Sequence, residues 1–214
     1  MDTAAALGEN LLVLAGPKGA GKTTLLSNAL SAKAPLFGGS VDAYFQATQL
    51  PGAGKEFRMH TAEVVERKTW ACNTHLADLA RRIPPLAHLV VHLDIMDFCN
   101  FNARAFERIL HVDENLAEMR RDPRAAIFAR YRLVHLATLD TPYELCAAWY
   151  KARAVEWRKP LSLNDERLYS GDAEGVAAFD AVSAAWLAFT ASLPNVAARW
   201  RIAYDGQTVS VGPA

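Results

Sequence analysis

Gly16, Gly21, Lys22 and Thr23 stand in G-x-x-x-x-G-K-[ST] spacing within "AGPKGAGKTT", residues 15–24. That combination of residue types is suited to holding a phosphate chain. Glycine admits backbone conformations that turn successive N–H groups toward one anion. The loop Gly16-Pro17-Lys18-Gly19-Ala20-Gly21 therefore forms a cradle for phosphate oxygens. A helix starting near Lys22 aims its positive end at the same place. Lys22 is expected to reach the β- and γ-phosphates, and the Thr23 hydroxyl to ligate Mg2+. Thr24 is positioned to add a bond to the α-phosphate. The plainer alternative is a glycine-rich turn opening an ordinary helix. Against it, the four fixed positions lie between the apolar run "LLVLA" and the helical pattern "LLSNAL", the context this chemistry requires.

Magnesium bound to phosphates calls for a nearby carboxylate. The apolar run "HLVVHLD" ends in Asp94, seventy-two residues after Lys22, where a carboxylate could hold a water of the magnesium shell. Asp97 is the alternative ligand, and a strand-terminal Asp can also simply cap the next turn. No glutamate follows Asp94, which argues against motor-type and transport-type ATPases. Asp42 follows "GGSV" twenty residues after Lys22. A carboxylate there could accept the proton of an attacking substrate hydroxyl, or it could serve as a turn or N-cap residue. A guanine-reading N/T-K-x-D is missing from the sequence, and "DAEG" at 172–175 reads as a turn opening the helix that contains Trp186.

The elements that must position these groups follow from periodicity. Short apolar runs at 11–15, 88–95, 133–139 and 199–204 read as strands, with a weaker one ending at Val41. Helical patterns lie between them at 22–32, about 59–82, 103–121, 143–158 and 172–192. Strand–helix alternation predicts an α/β fold with about five parallel strands covered by helices on both faces. Residues 1–214 are expected to form a single domain. Ligands of such sheets sit beyond the carboxyl ends of the strands, where the glycine-rich loop falls.

A longer string, "LVHLATLDTPYELCAAWYKARAVEWRKPLSL" at 133–163, resembles a segment of the P-loop small-molecule kinases, the shikimate, gluconate and nucleotide kinase group. There a strand leads through a Pro- and Glu-containing turn to a helix, then to lid arginines followed by Pro-Leu. The resemblance extends over 11–42, 88–97, 133–161 and the "YDGQ" of 204–207, less than half the chain. It implies a three-layer P-loop NTPase fold, ATP with Mg2+, and a small lid at about 151–170. By position it implies that Arg153 lies against the nucleotide base and that Arg158 reaches the transferring phosphoryl group. The alternative is an exposed helix face shared with Lys151, Glu156 and Lys159. Shikimate kinases carry a glycine triplet after the third strand, where this chain reads "DIMDFCNF", so shikimate is not the expected acceptor. The acceptor site is expected within 43–87.

Composition sets further bounds. Lys+Arg 23 against Asp+Glu 23 gives zero net charge, which argues against nucleic acid as the main partner. No apolar run approaches the roughly 18 residues a membrane span needs. The N-terminus lacks a basic leader. Cys72, Cys99 and Cys146 lie far apart without CxxC spacing and read as reduced thiols of a cytoplasmic protein. His88 and His92 have no ligand partners at zinc spacing, and no G-x-S-x-G elbow is present. Trp149, Trp157 and Trp186 are expected in core or lid packing. The expected activity is phosphoryl transfer from ATP-Mg to a hydroxyl of a small-molecule or sugar-like acceptor. A larger acceptor, such as a nucleotide-linked sugar or an aminoglycoside, and a nucleotide-dependent regulator acting through a protein partner are the competing expectations.

Overall fold

The computed structural model describes residues 7–22, 70–72, 88–158, 160–204 and 209–214. Its centre is β1 (Gly8–Gly16), whose residues Leu11 to Ala15 are at most 1% exposed. A continuous apolar run of this kind belongs to a strand buried on both faces. It is flanked by β3 (His88–Asp94) on one side and β4 (Tyr131–Asp140) on the other, both parallel to it. β2 (Trp70–Cys72) adds to β3, and β5 (Val196–Tyr204) adds to β4, again in parallel. β6 (Val209–Pro213) closes the sheet antiparallel to β5, giving the order β2-β3-β1-β4-β5-β6. The chain therefore leaves the end of β1 with neighbours on opposite sides, the arrangement that opens a crevice for ligands at the strand ends.

The described helices are α1 (Ile95–Phe98), α2 (Phe106–Ile109), α3 (Val112–Arg121), α4 (Tyr143–Glu156), α5 (Leu163–Leu168) and α6 (Ala173–Ala191). The alanine-rich α6 buries Ala178, Val182, Ala185, Trp186 and Phe189 at helical spacing. Asp172 caps it by accepting the Gly175 N–H at 2.7 Å, as the "DAEG" reading expected. Trp186, Phe189, Phe98 and Phe128 pack with ring centroids 5.2–6.4 Å apart. The Trp186 indole donates to Thr138 Oγ1 at 3.1 Å, so this aromatic core is keyed to β4.

Three sequence expectations change. The helical pattern at 59–82 contains β2 at 70–72, a strand too short to stand out by periodicity. The pattern at 103–121 is broken into a 3-10 turn at Phe101–Ala103, α2 and α3. The reason lies in side chains that capture backbone groups: Arg104 donates to the Cys99 and Arg108 carbonyls, and Asn115 to that of Ile109. The sheet also carries an antiparallel sixth strand that the parallel pattern did not foresee. The run ending at Val41 and the helix beyond Lys22 lie outside the described residues. Among the described residues, no helix is long and apolar enough to cross a membrane.

Candidate phosphate-binding site

The glycine-rich loop leaves the carboxyl end of β1 and turns sharply, with the Ala20 N–H donating to the Pro17 carbonyl at 3.2 Å. Gly19 (φ +78°) and Gly21 (φ +87°) adopt left-handed conformations that disfavour side chains. At Gly19 the restriction is also spatial, because an added Cβ would lie 2.2 Å from the Cys146 carbonyl oxygen of α4. Thr141 Oγ1 donates to the Ala20 carbonyl at 3.0 Å. The connection after β4 thus holds the loop from one side.

Lys22 is 5% exposed, and its Nζ donates to the carbonyls of Gly16 at 2.8 Å and Pro17 at 2.6 Å. It also lies 3.1 Å from Asp94 Oδ2. Sheet register explains this contact, since Asp94 is paired with Gly16 across β3 and β1. The other Asp94 oxygen accepts the N–H groups of Met96 at 3.0 Å and Asp97 at 3.4 Å, capping α1. Asp94 therefore caps α1 with one oxygen, as one sequence reading expected, and its other oxygen lies against Lys22 of the loop.

A second lysine completes the site. Lys18 Nζ lies 3.0 Å from Asp165 Oδ1 and 3.3 Å from Asp97 Oδ1. Burial works against its charge, but Asp97, Asp94 and Asp165 outweigh that and raise its pKa. Burial, reinforced by Asp94, raises the Asp97 carboxyl, against the opposing pull of Lys18. Asp165 is 3% exposed, and its second oxygen receives the Tyr150 hydroxyl at 3.1 Å and lies 2.8 Å from Ser162 Oγ. Burial pushes Tyr150 up to about 12, so it stays a neutral donor. Fully buried Tyr169 donates to the Lys18 carbonyl at 2.6 Å. Tyr169→Phe removes this hydrogen bond and is expected to cost about 1–2 kcal/mol, read by denaturant unfolding.

Lys18, Lys22, Asp94, Asp97, Tyr150 and Asp165 line an open cavity of about 460 Å3 between the loop, α4 and residues 160–165. Arg153 and Trp157 also line it, with the guanidinium carbon 5.1 Å from the indole centroid. Trp157 is 57% exposed and so lies outside the core, unlike Trp186. Cys99 and Cys146 are buried free thiols, each pushed to about 12 chiefly by burial, which leaves them unreactive.

Of the residues expected to act, the structure brings Gly16 to Lys22, Asp94, Asp97 and Arg153 to one place. Arg158, two residues beyond α4, has φ +51°, is exposed, and is not among the residues lining the cavity. Thr23, Thr24 and Asp42 lie outside the described residues. In the 151–170 stretch expected as a lid, Asp165, Leu168 and Tyr169 are buried, and the first and last bond to the loop. Sequence reasoning missed Asp165. Its one signal was "SLND", the [ST]-x-x-[DE] spacing of a helix start, and Ser162 Oγ does accept the Asp165 N–H at 3.1 Å. Comparison with protein-family models, curated proteins and solved structures finds no match.

Proposed function

We propose that this chain is a P-loop kinase of three-layer α/β architecture that transfers the γ-phosphoryl group of ATP to a hydroxyl of a small-molecule or sugar-like acceptor. The observation that carries the reading is the buried Lys22 ammonium at the end of the glycine loop, 3.1 Å from Asp94 on the neighbouring strand. Its other contacts are loop carbonyls, so it can exchange these for phosphate oxygens without moving far along the chain. The donor set fits a magnesium nucleotide: glycines at positive φ, a buried ammonium, and a carboxylate at the adjacent strand end.

In this reading the loop amides and Lys22 bind and orient the phosphates, and Lys22 stabilises charge that develops in transfer. Thr23 and Asp94 would hold magnesium, which supplies charge neutralisation when bound. Asp42 is the base assigned to the acceptor hydroxyl. Arg153 is assigned to the base side, and Arg158 to the transferring group by a movement within the 151–170 stretch. Free buried thiols at Cys99 and Cys146 accord with a cytoplasmic setting.

Screening a metabolite library for stimulated ADP production tests the proposal. Stimulation by hydroxyl compounds supports a kinase, and stimulation only by a protein partner favours a regulator. Asp94→Asn is expected to retain the cap on α1 while raising the Mg2+ requirement several-fold, with the acceptor KM little changed. A magnesium titration of ADP production checks this. If Asp97→Asn shows the effect in its place, the ligand is Asp97.

A further inference from the structure

Lys18 lies within the phosphate loop, four residues before Lys22, yet its ammonium is committed elsewhere. Asp165 holds it at 3.0 Å and Asp97 at 3.3 Å. Asp165 is itself buried and fixed by Tyr150 and Ser162, so it cannot readily swing away. One ammonium facing two carboxylates offers no net positive charge to a neighbouring anion. Lys22, with one carboxylate and two carbonyls around it among the described residues, is the better placed of the two for phosphate.

We propose that Asp165, together with Asp97, withholds Lys18 from the bound phosphates, so that of the two loop lysines only Lys22 engages the nucleotide and the site releases it readily. The inference rests on the nucleotide-binding reading of the loop and concerns how tightly that site binds. The competing account is that Asp165 is a structural anchor for α5. The two differ in sign. Loss of an anchor loosens the loop and weakens binding, whereas loss of a restraint frees a cation beside the phosphates and strengthens it.

Titration with MgADP at saturating magnesium, followed by calorimetry, separates them. Asp165→Asn is expected to bind about tenfold more tightly than wild type, the effect of one added charge-assisted contact. The double variant Lys18→Met with Asp165→Asn, which removes the ammonium together with its buried partner, should lose the gain seen in Asp165→Asn alone. Asp97→Asn, altered at the more distant of the two carboxylates, gives a smaller gain of the same sign and decides the matter if Asp165→Asn fails to fold. Weaker binding in Asp165→Asn, or a double variant that binds as tightly as Asp165→Asn alone, overturns the inference. Lys22→Ala distinguishes the failures. If wild type binds no MgADP, or binds it equally after Lys22→Ala, the nucleotide reading falls and this inference with it. If binding depends on Lys22 but no aspartate variant tightens it, the inference alone falls.

Discussion

Replacing Lys22 by alanine is expected to lower ATP turnover at least about a hundredfold if the proposed transfer holds, the loss typical of removing one preorganised charge contact to a transition state. The side chain is buried, and Gly16, Pro17 and Asp94 together fix its ammonium. A preplaced cation costs no reorganisation when charge develops on the transferring group, so its removal falls mainly on kcat. The variant also leaves Asp94 without its lysine, so folding must be checked by circular dichroism alongside kinetics. Equal turnover in wild type and Lys22→Ala would remove the loop from the chemistry.

Gly19→Ala is expected to lose about 3 kcal/mol or more of folding stability, and with it nucleotide binding. Two effects add at this position. Alanine resists φ +78°, and its Cβ would lie 2.2 Å from the Cys146 carbonyl, a backbone atom held in the first turns of α4. Gly21→Ala is the internal control. It meets a similar left-handed penalty at φ +87°, but its Cβ would touch only the Trp149 ring edge at 3.6 Å. It should therefore lose only about 1–2 kcal/mol. Denaturant unfolding of both variants measures the difference. If Gly19→Ala is no worse than Gly21→Ala, the close approach of loop and α4 is wrong.

The parts of this architecture legible in sequence are those governed by burial along one strand. Leu11 to Ala15 announce a central strand because both faces are covered, and Asp94 is visible as the polar end of an apolar run. Register then brings Asp94 beside the loop without further information. What was hidden depends on distant or side-chain-driven contacts. Asp165 owes its role to Lys18, 147 residues away, and local pattern marks it only as a helix-start residue. The continuous helix expected over 103–121 fails because Arg104 and Asn115 bind backbone carbonyls, a competition invisible to periodicity. The backbone just beyond α4 is left-handed at Arg158, and this arginine is not among the residues lining the cavity that Arg153 joins.

The central claim, that the loop holds nucleotide phosphates, is tested most directly at its own amides. Hydrogen exchange of the 16–22 backbone should be measured with and without a non-hydrolysable MgATP analogue, in wild type and in Lys22→Ala. The account predicts saturable protection of the Gly19, Gly21 and Lys22 amides in wild type, and its loss or large weakening in the variant. Unchanged exchange at these amides on adding the analogue, or equal protection without the Lys22 ammonium, would contradict it.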